Sequence, residues 1–537
     1  MDANGLGGAV RFARVPPMST KKRLVTATGG MAAVTLASRI SGLVRDKVVA
    51  FLLGAGTVAD AFYTGFRIPN MFRQLLAEGA LQAAFIPTLA ELRAKGEEAR
   101  MREFVRAMTS LLLVLLPVVV ALGIFASPWL VHLFAAKFAT DPPKFDLTVR
   151  LTRMMFPYLG LISLAALAQG VLNASDRFLL PAATPIGLNL CIVAGTVTAV
   201  SLGGVRPEWM AIGVLAGGLT QFAVQWAVCG RVGLAMVPGR GAFANADVRR
   251  VLVKMAPTVT TLGIYPLTLM LANRFAASVG NGAVTCVYNA SRANELVYGV
   301  VIVQLTTAVL PMLAAERQTS ELAARDTLAF ALRLLSMVAI PSTVFSAVLA
   351  TPMIGALFGG GRYTPADVRT AAAALLVYSL GMPFLGLTKL LASASFAWND
   401  TRSPVIASAV NLGVFFVLGL LLTPPYGVRG VAGASVGGQV VNALILLWLD
   451  GRRKRLPPLR DVVPPIARHI LAAAGLGAAV FLLERVFPVP LHTSVRSLAT
   501  LGSLALVGGT VYSLLLVLLG AEEWREARRL LRRRLGA

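Results

Sequence analysis

Four arginines and three acidic residues lie between Ser38 and Ala90, in two stretches that are otherwise apolar enough to cross a membrane. In chain order they are Arg39, Arg45, Asp46, Asp60, Arg67, Arg73 and Glu78. An ionisable side chain at bilayer depth costs at least about 2.5–3.5 kcal/mol, so such residues usually face a water-filled cavity or a charged ligand. Because the arginines outnumber the acids, the pattern predicts a hydrated cavity that binds an anion.

The excess charge is carried by arginine, whose planar guanidinium group can bind two phosphate oxygens at once and stays protonated. Arg292 and Lys389 add positive charge further along the chain. We therefore expect a diphosphate as the anion, with Arg73 and Arg292 reaching it from different helices. Arg292 also precedes Glu295 by three residues, so an ion pair within one helix is the alternative for that residue.

Two acid–base pairs have a spacing of seven residues, which places both members on one face of a helix. Arg39 precedes Asp46 by this interval, and Asp60 precedes Arg67. We expect the members of each pair to neutralise each other. The alternative, in which the whole set forms buried ion pairs that only fix helix packing, explains Asp46 and Asp60 but leaves a surplus of arginine.

The second charged stretch contains Ile68-Pro69-Asn70. Proline removes one backbone hydrogen bond and kinks a helix, so the sequence predicts an interruption here, with Asn70 capping the exposed turn. Broken helices often line the cavities of transporters. A kink that serves packing alone is the alternative.

The composition is that of an integral membrane protein. Of 537 residues, 56% are hydrophobic and 14% are charged. Eleven charge-free runs of 18 residues or more can each cross the hydrocarbon core as a helix, and residues 469–483 extend to a twelfth. With the two charged stretches, near Gly29–Leu53 and Ala59–Ala90, the prediction is an all-α polytopic protein with about fourteen transmembrane helices.

The net charge of +25 is explained by membrane topology rather than by nucleic-acid binding, because of where the basic residues lie along the chain. Fourteen spans put every basic cluster on one side of the membrane, which predicts that both termini are cytoplasmic. The clusters lie at 11–23, 231–254, 452–468 and 525–534, whereas 54–59 and 276–282 carry no lysine or arginine.

The chain carries a weak internal repeat with an offset of about 224 residues. The aligned landmarks are Phe51 with Phe275, Gly56 with Gly280, Asn70 with Asn294, Pro157 with Pro383, and Asp176 with Asp400. Each copy holds six spans, an even number, so two six-helix lobes are related by a parallel internal repeat. The ligand is expected between the lobes, and two extra C-terminal helices lie outside the repeat.

The sequence shows no catalytic constellation, metal-ligand spacing or nucleotide-binding loop. Gly359-Gly-Gly-Arg362 has no preceding strand, and Thr364-Pro365-Ala-Asp367 has the pattern of a capped helix start. We therefore predict a transporter rather than an enzyme, without a metal site or cofactor.

The two charged stretches resemble a known family, the MurJ/MviN lipid II flippases of bacteria. The motifs that carry the resemblance are Ala37-Ser-Arg-Ile-Ser-Gly-Leu-Val-Arg-Asp46, Ala59-Asp-Ala-Phe62, and Phe66-Arg-Ile-Pro-Asn-Met-Phe-Arg-Gln-Leu-Leu-Ala-Glu-Gly-Ala80 followed by Phe85-Ile-Pro. With the layout of the spans, the resemblance covers roughly residues 25–520.

This resemblance implies the multidrug/oligosaccharidyl-lipid/polysaccharide exporter fold and the transfer of an undecaprenyl-diphosphate-linked peptidoglycan precursor to the periplasmic leaflet. It implies that Arg39, Arg45, Arg73 and Arg292 hold the diphosphate and that Asp60 balances or gates them. Some family members use sodium through acids on helices seven and eleven or twelve. Here the span 255–273 has no acid, which leaves Asp400.

Together these inferences predict a lipid II flippase of the bacterial inner membrane, which serves cell wall synthesis by alternating access. Lipid II, membrane lipids and a monovalent ion are its expected partners, and a monomer is its expected state. The predicted parts are a basic tail 1–24, an N-lobe 25–235, a C-lobe 236–450, a lipid-tail groove 451–520 and a basic tail 521–537. The predicted binding residues are Ser38, Arg39, Arg45, Asp60, Arg67, Asn70, Arg73, Glu78 and Arg292.

Several other functions would also use a charged membrane interior. An exporter of another polyprenyl-linked glycan, of the O-antigen type, is the nearest alternative. A multidrug antiporter for cations should have a net acidic cavity, and a polyprenyl-phosphate transferase should have an acidic metal-binding cluster; this sequence shows neither. A scaffold would have little reason to keep unbalanced charge at mid-membrane.

Overall fold

The computed structural model describes residues 20–239 and 241–524, apart from the side chains of 20–30, 32, 76–78, 80, 256–262 and 300–308. Most of the two predicted tails, at 1–19 and 525–537, therefore lies outside the described residues. Within those residues the chain is helical between its loops, with a single isolated bridge between Gly360 and Tyr363. The first helix begins at Thr20, before the predicted start near Gly29.

Nineteen α-helices follow one another along the described chain. They are α1 Thr20–Leu53, α2 Thr57–Arg73, α3 Gln82–Ala94, α4 Glu98–Phe134, α5 Pro142–Met155, α6 Pro157–Ala174, α7 Leu179–Ser201, α8 Glu208–Arg231, α9 Ala246–Leu262, α10 Ile264–Val279, α11 Ala283–Thr319, α12 Glu321–Val348, α13 Ala350–Phe358, α14 Pro365–Leu380, α15 Met382–Ala397, α16 Arg402–Tyr426, α17 Val428–Arg452, α18 Leu459–Val486 and α19 Val495–Leu518. We call α1–α8 the first half and α9–α17 the second half.

Apolar, charge-poor sequence accounts for these long helices, because a lipid-facing backbone must satisfy its own hydrogen bonds. Among the described residues, nine helices are long and apolar enough to cross a membrane, and the pair α14 and α15, bent by 43°, makes ten. Seven consecutive pairs are separated by one residue or by a π-helical segment. Two of them turn at that residue, at the extended Ser320 and at Gly427 with its positive φ, and joining the other five leaves fourteen stretches. This agrees with the predicted number of spans, which stays a prediction.

The second charged stretch is irregular at a different place from the one predicted. Pro69 lies inside α2, and regular α-helix continues through Asn70 to Arg73. The irregular part is the π-helical segment Gln74–Leu81, which joins α2 to α3. Asn70 caps no turn; its Oδ1 accepts a hydrogen bond of 2.7 Å from Arg73 Nε. The expected interruption at Pro69 is therefore wrong: a proline removes only the hydrogen bond to the carbonyl four residues earlier, and the helix continues through it and becomes π-helical after Arg73.

The internal repeat of the sequence is also visible in the structure, where the two halves share the same helix breaks and turns. The fourth stretch of each half breaks at one residue, Phe156 between α5 and α6 and Gly381 between α14 and α15. At its far end each makes the same turn, in which Arg177 N donates to Leu172 O and Asp400 N donates to Ser395 O. The predicted helix start at Thr364 is also confirmed, since its hydroxyl accepts from Asp367 N and Asp367 bonds back to it.

Large apolar side chains point outward along the helices. Phe125 on α4, Leu421 on α16 and Leu506 on α19 are each more than 60% exposed. Such a surface suits lipid as the solvent, whereas a soluble protein rarely exposes apolar patches of this extent. The protein is therefore a multi-pass membrane protein whose polar interior lies between its halves.

Candidate functional site

A cavity of about 580 Å³ lies between the two halves. The first half lines it with α1, α2, α6, α7 and α8, and the second half with α10, α11 and α15. Five cationic side chains line this central cavity, namely Arg39, Arg45, Arg73, Arg292 and Lys389. Its carboxylates are Asp46 and Glu295. The lining therefore carries a positive excess, contributed by both halves.

Arg45 is buried and held by four hydrogen bonds. Its Nε and Nη2 donate to Asp46 Oδ1 at 2.9 and 2.7 Å. Nη1 donates to Asn189 Oδ1 at 3.1 Å, and Nη2 also donates to the hydroxyl of Tyr288 at 3.0 Å. Arg45 therefore links α1 to α7 and, across the cavity, to α11.

Arg292 faces the same cavity from α11 and shares these partners. Its Nε donates to Tyr288 at 3.1 Å and lies 3.4 Å from Asp46 Oδ2, while Nη1 lies 2.8 Å from Glu295 Oε2. The ion pair between Arg292 and Glu295 within α11, which was the alternative for Arg292, is therefore present. Arg292 nevertheless lines the cavity. Its side chain keeps 38% exposure, so it can still reach a ligand.

Arg39 on α1 and Arg73 on α2 also line the cavity. Arg39 is exposed and has no carboxylate within ion-pair distance among the described residues. Its guanidinium packs against Gly299, where a Cβ atom would come within 2.8 Å of Nη1. Arg73 is held toward Asn70, and Ser38 lines the same wall. The absence of a side chain at Gly299 gives the guanidinium of Arg39 its room.

The expected pairing at seven-residue spacing is wrong for both pairs. Asp46 binds Arg45 and Arg292 rather than Arg39, and Asp60 binds a lysine on another helix rather than Arg67. Seven residues span about 10.5 Å along a helix axis, which is too far for direct contact between side chains that merely share a face. Neighbouring helices offer closer partners.

Asp60 lies outside the central cavity, at the junction of α2 with the amino-terminal end of α11. Its carboxylate is fully buried and accepts hydrogen bonds from the backbone amides of Gly282 and Thr285 at 2.7 and 2.9 Å. The hydroxyl of Thr285 and Nζ of Lys144 add bonds of 2.7 and 2.8 Å. Asp60 therefore caps a helix of the opposite half and does not contact the arginines.

Arg67, another predicted residue, is not among the described residues that line the cavity. Arg67 donates from Nη1 to Asn273 Oδ1 at 3.3 Å, and its guanidinium lies 4.9 Å from the ring centre of Tyr288. It therefore packs behind the cavity wall. The side chain of Glu78 lies outside the described residues, so its predicted role is not tested.

Asp400, the acid considered for a sodium site, lies at the end of the molecule that carries the basic clusters. Arg453 and Arg455 both pair with it, and its carboxylate bonds Ser403 at the start of α16. Two guanidinium groups on one carboxylate disfavour a cation there. Within the part of the chain that the structure describes, no group of three or more potential ligands is arranged to hold a metal ion.

Uncharged polar residues of the cavity were missed at the level of sequence. Asn189 holds Arg45, and Gln221 and Gln225 on α8 line the cavity. The carbonyl oxygens of both glutamines are buried and lack a hydrogen-bond partner in the described structure. Tyr288 contacts both Arg45 and Arg292. The signal that could have found them is a buried amide or phenol within a run otherwise free of polar groups.

The two halves touch at both ends of the central cavity. At one end, Arg362 N donates to Phe51 O, and Thr57 bonds Asn281. At the end that carries the basic clusters, Arg100 pairs with Asp247 and Arg250 pairs with Glu91, at 2.8 and 3.0 Å. The cavity is therefore flanked by contacts between the halves in this conformation.

The comparisons with known proteins agree with this arrangement. A family model described as "Lipid II flippase MurJ" matches residues 49–499. The chain is 34% identical to "Probable lipid II flippase MurJ" of Rhizobium meliloti (strain 1021) over 505 residues, covering 91% of this chain and 92% of that protein. It is also 34% identical to "Lipid II flippase MurJ" of Burkholderia cenocepacia over 448 residues, covering 82% and 84%.

Solved structures share the fold. "Lipid II flippase MurJ, inward closed conformation" aligns with a TM-score of 0.76 at 23% identity, covering 93% of this chain and 99% of that one. A multidrug resistance MATE family transporter of the MOP superfamily, in an inward-facing conformation, aligns with a TM-score of 0.62 at 13% identity, covering 79% and 98%. On the match of its family model and relatives, the chain belongs to the MurJ family of lipid II flippases.

Proposed function

We propose that this chain moves lipid II, an undecaprenyl-diphosphate-linked precursor of peptidoglycan, from the cytoplasmic to the periplasmic leaflet. One observation carries the proposal: guanidinium groups from both halves line one cavity that has more cations than carboxylates. A diphosphate supplies the oxygens that such groups bind in pairs. Membership of the family adds the identity of the lipid.

The binding step is proposed to use Arg39, Arg73 and Arg292, which face the cavity, with Arg45 holding the wall in place. Gln221 and Gln225 line the cavity with buried carbonyl oxygens that lack a partner among the described residues, and a rotation of either side chain would let its oxygen accept from the amide or hydroxyl groups of a glycan. Alternating access then requires the contacts at the two ends of the cavity to open in turn.

The parts of the chain have corresponding proposed roles. Residues 25–235 and 236–450 form the two lobes, and residues 451–520, which contain α18 and α19, form a groove for the lipid tail. Both termini are proposed to be cytoplasmic, because the basic clusters then lie inside. A monomer and coupling to a monovalent ion remain our predictions.

One alternative function fits this cavity less well, and another fits it equally well. Its positive excess disfavours an antiporter of cationic drugs, since bound cations would be repelled. An exporter of another polyprenyl-diphosphate glycan would use the same arginines. Binding of purified protein to lipid II and to an O-antigen-type lipid, compared by native mass spectrometry, separates these two substrates.

The main test replaces arginines in a bacterium depleted of its own flippase. We expect Arg73→Ala and Arg292→Ala, expressed at normal level, to fail to support growth. Arg231→Ala, which removes an exposed arginine at the end of α8, should support growth fully. Full growth with either cavity variant would show that the diphosphate assignment is wrong.

A further inference from the structure

A second basic cavity lies away from the central one. It has a volume of about 270 Å³ and lies where the α11–α12 turn, the end of α15 and the α17–α18 linker meet. Its cations are Arg317, Arg325, Arg453, Lys454 and Arg455, and Trp398 forms part of its wall. We call it the linker cavity.

The carboxylates near the linker cavity do not balance its cations. Asp400 is shared by Arg453 and Arg455, and Asp450 lies 3.3 Å from Arg455. Glu321 lies 3.8 Å from Arg325 and is itself 71% exposed, so this contact is weak. Three carboxylates therefore face five cations, which leaves a positive excess.

Arg317 and Lys454 have no carboxylate within ion-pair distance among the described residues. Arg317 donates from Nη1 to the carbonyl of Ala397 at 2.8 Å. A carbonyl carries only a partial charge, so the positive charge of Arg317 is not neutralised. Lys454 is exposed and stands in the left-handed backbone region, with φ of 54°, at the turn after α17. Its ammonium group is therefore free to meet an anion from outside.

The equivalent position in the first half shows what a purely structural arginine looks like. There Arg93 donates to the carbonyl of Ala174, as Arg317 does to Ala397. Arg93 also pairs with Asp176 at 2.9 Å, so its charge is compensated. In the second half the residue in the position of Asp176 is Asn399, which carries no charge, and the neighbouring Asp400 pairs with the linker arginines. The linker therefore adds cations beyond those that the turn requires.

Exposed apolar side chains lie close in sequence to the residues that line the linker cavity. Leu322 follows Glu321 at the start of α12, Phe396 precedes Trp398 by two residues, and Trp448 lies one turn before the end of α17. Arg452 stacks on Trp448 with 4.0 Å between guanidinium carbon and ring centre. Tryptophan beside arginine is typical of the level at which lipid headgroups meet protein.

We propose that the linker cavity binds the headgroup phosphate of an anionic phospholipid from the adjoining leaflet. The uncompensated cations hold the phosphate, and Leu322, Phe396 and Trp448 contact the acyl chains. A basic pocket between helix ends at a membrane surface is suited to such a headgroup. A soluble phosphate would use the same cations but would lack the apolar contacts. This site is independent of the cargo in the central cavity.

The test compares lipid binding by the full chain and a double variant, Arg325→Gln/Lys454→Gln, in detergent by native mass spectrometry. The probes are dioleoyl-phosphatidylglycerol, dioleoyl-phosphatidylcholine, and glycerol 3-phosphate or inorganic phosphate without acyl chains. We expect phosphatidylglycerol to bind the wild type in preference to phosphatidylcholine. Because each cation near a headgroup contributes a modest attraction, the double variant should lose about tenfold in affinity for phosphatidylglycerol.

A matched control removes two cations from the first half. Arg177→Gln/Arg231→Gln changes two exposed arginines and should bind phosphatidylglycerol as the wild type does. Size-exclusion profiles and thermal unfolding without added lipid verify that both variants are folded.

Four results would overturn the proposal. They are unchanged affinity in the linker variant, an equal loss in the control, equal binding of phosphatidylcholine by the wild type, and binding of the chain-free phosphates as tight as that of phosphatidylglycerol. The last result would indicate a site for a soluble anion.

Discussion

The carboxylate of Asp60 accepts a hydrogen bond of 2.7 Å from the backbone amide of Gly282, so a side chain of the first half caps a helix of the second half. The amino-terminal end of a helix carries partial positive charge and unpaired amides, which favour a carboxylate. Lys144 completes the site from α5. This contact holds together the end of the molecule farthest from the basic clusters.

We expect Asp60→Asn to weaken this junction. The neutral amide keeps the shape but loses charged hydrogen bonds, and it leaves the ammonium group of Lys144 buried without its partner. The free energy of unfolding should fall by about 2 kcal/mol or more, measured as a lower unfolding temperature in detergent. The double variant Asp60→Asn/Lys144→Met should be more stable than Asp60→Asn alone. If the two changes were additive, Asp60 and Lys144 would not form a coupled pair.

Gly282 should be intolerant of a side chain. Its φ of 82° is in the left-handed region, and a Cβ atom would lie 2.5 Å from Ala55 O. Gly282→Ala should therefore separate the halves at this end, which lowers the yield of a disulfide between cysteines introduced as Thr57→Cys and Asn281→Cys.

Gly56 provides the control for this substitution. It also precedes a helix, but its backbone is extended, with φ of −155°, and nothing lies within 4 Å of its Cβ position. Gly56→Ala should leave the disulfide yield unchanged. An equal loss in both variants would rule out the close approach at Gly282 as the cause.

Arg45 and Arg39 should respond differently to removal, although both line the central cavity. Arg45→Ala leaves Asp46 buried with one fewer partner, so the free energy of unfolding should fall by about 3 kcal/mol or more. Arg39→Ala removes an exposed group and should change stability by less than about 0.5 kcal/mol. It should nevertheless reduce lipid II binding by about tenfold, because charged hydrogen bonds are lost.

Thermal unfolding and native mass spectrometry of the two variants separate these effects. A stable Arg45→Ala variant, or an Arg39→Ala variant that unfolds earlier and binds normally, would contradict the assignment of roles.

The charge of the cavity can be tested at Gln221, whose carbonyl oxygen has no partner within the described residues. Gln221→Glu keeps the shape and adds a negative charge to the wall of the cavity that we expect to bind the diphosphate. At pH 8 the affinity for lipid II should fall about tenfold, since like charges repel at close range. Gln221→Met, which has a similar volume and no charge, should lose much less. Equal losses in the two variants would argue that shape rather than charge matters at this position.

The arginines of the cavity were predictable from sequence because charge in an apolar stretch is costly and must face water or a ligand. Arg39, Arg45, Arg73 and Arg292 all line the central cavity as expected. The position of the repeat was also predictable to within one residue: the sequence aligned Asp176 with Asp400, and in the structure Asn399 adopts the left-handed conformation of Asp176.

The partners of these charges were decided by tertiary structure. Spacing along one helix suggested Arg67 for Asp60, but Lys144 on α5 and the end of α11 lie closer once the helices pack. Asn189 and Tyr288 accept hydrogen bonds from Arg45 only because the fold brings α7 and α11 close to this residue of α1. Sequence determines which side chains must leave the lipid, because any ionised side chain within an apolar stretch is costly to place in hydrocarbon. Packing decides which of them meet, because a hydrogen bond forms only within about 3 Å, a distance that relates helices far apart in the chain.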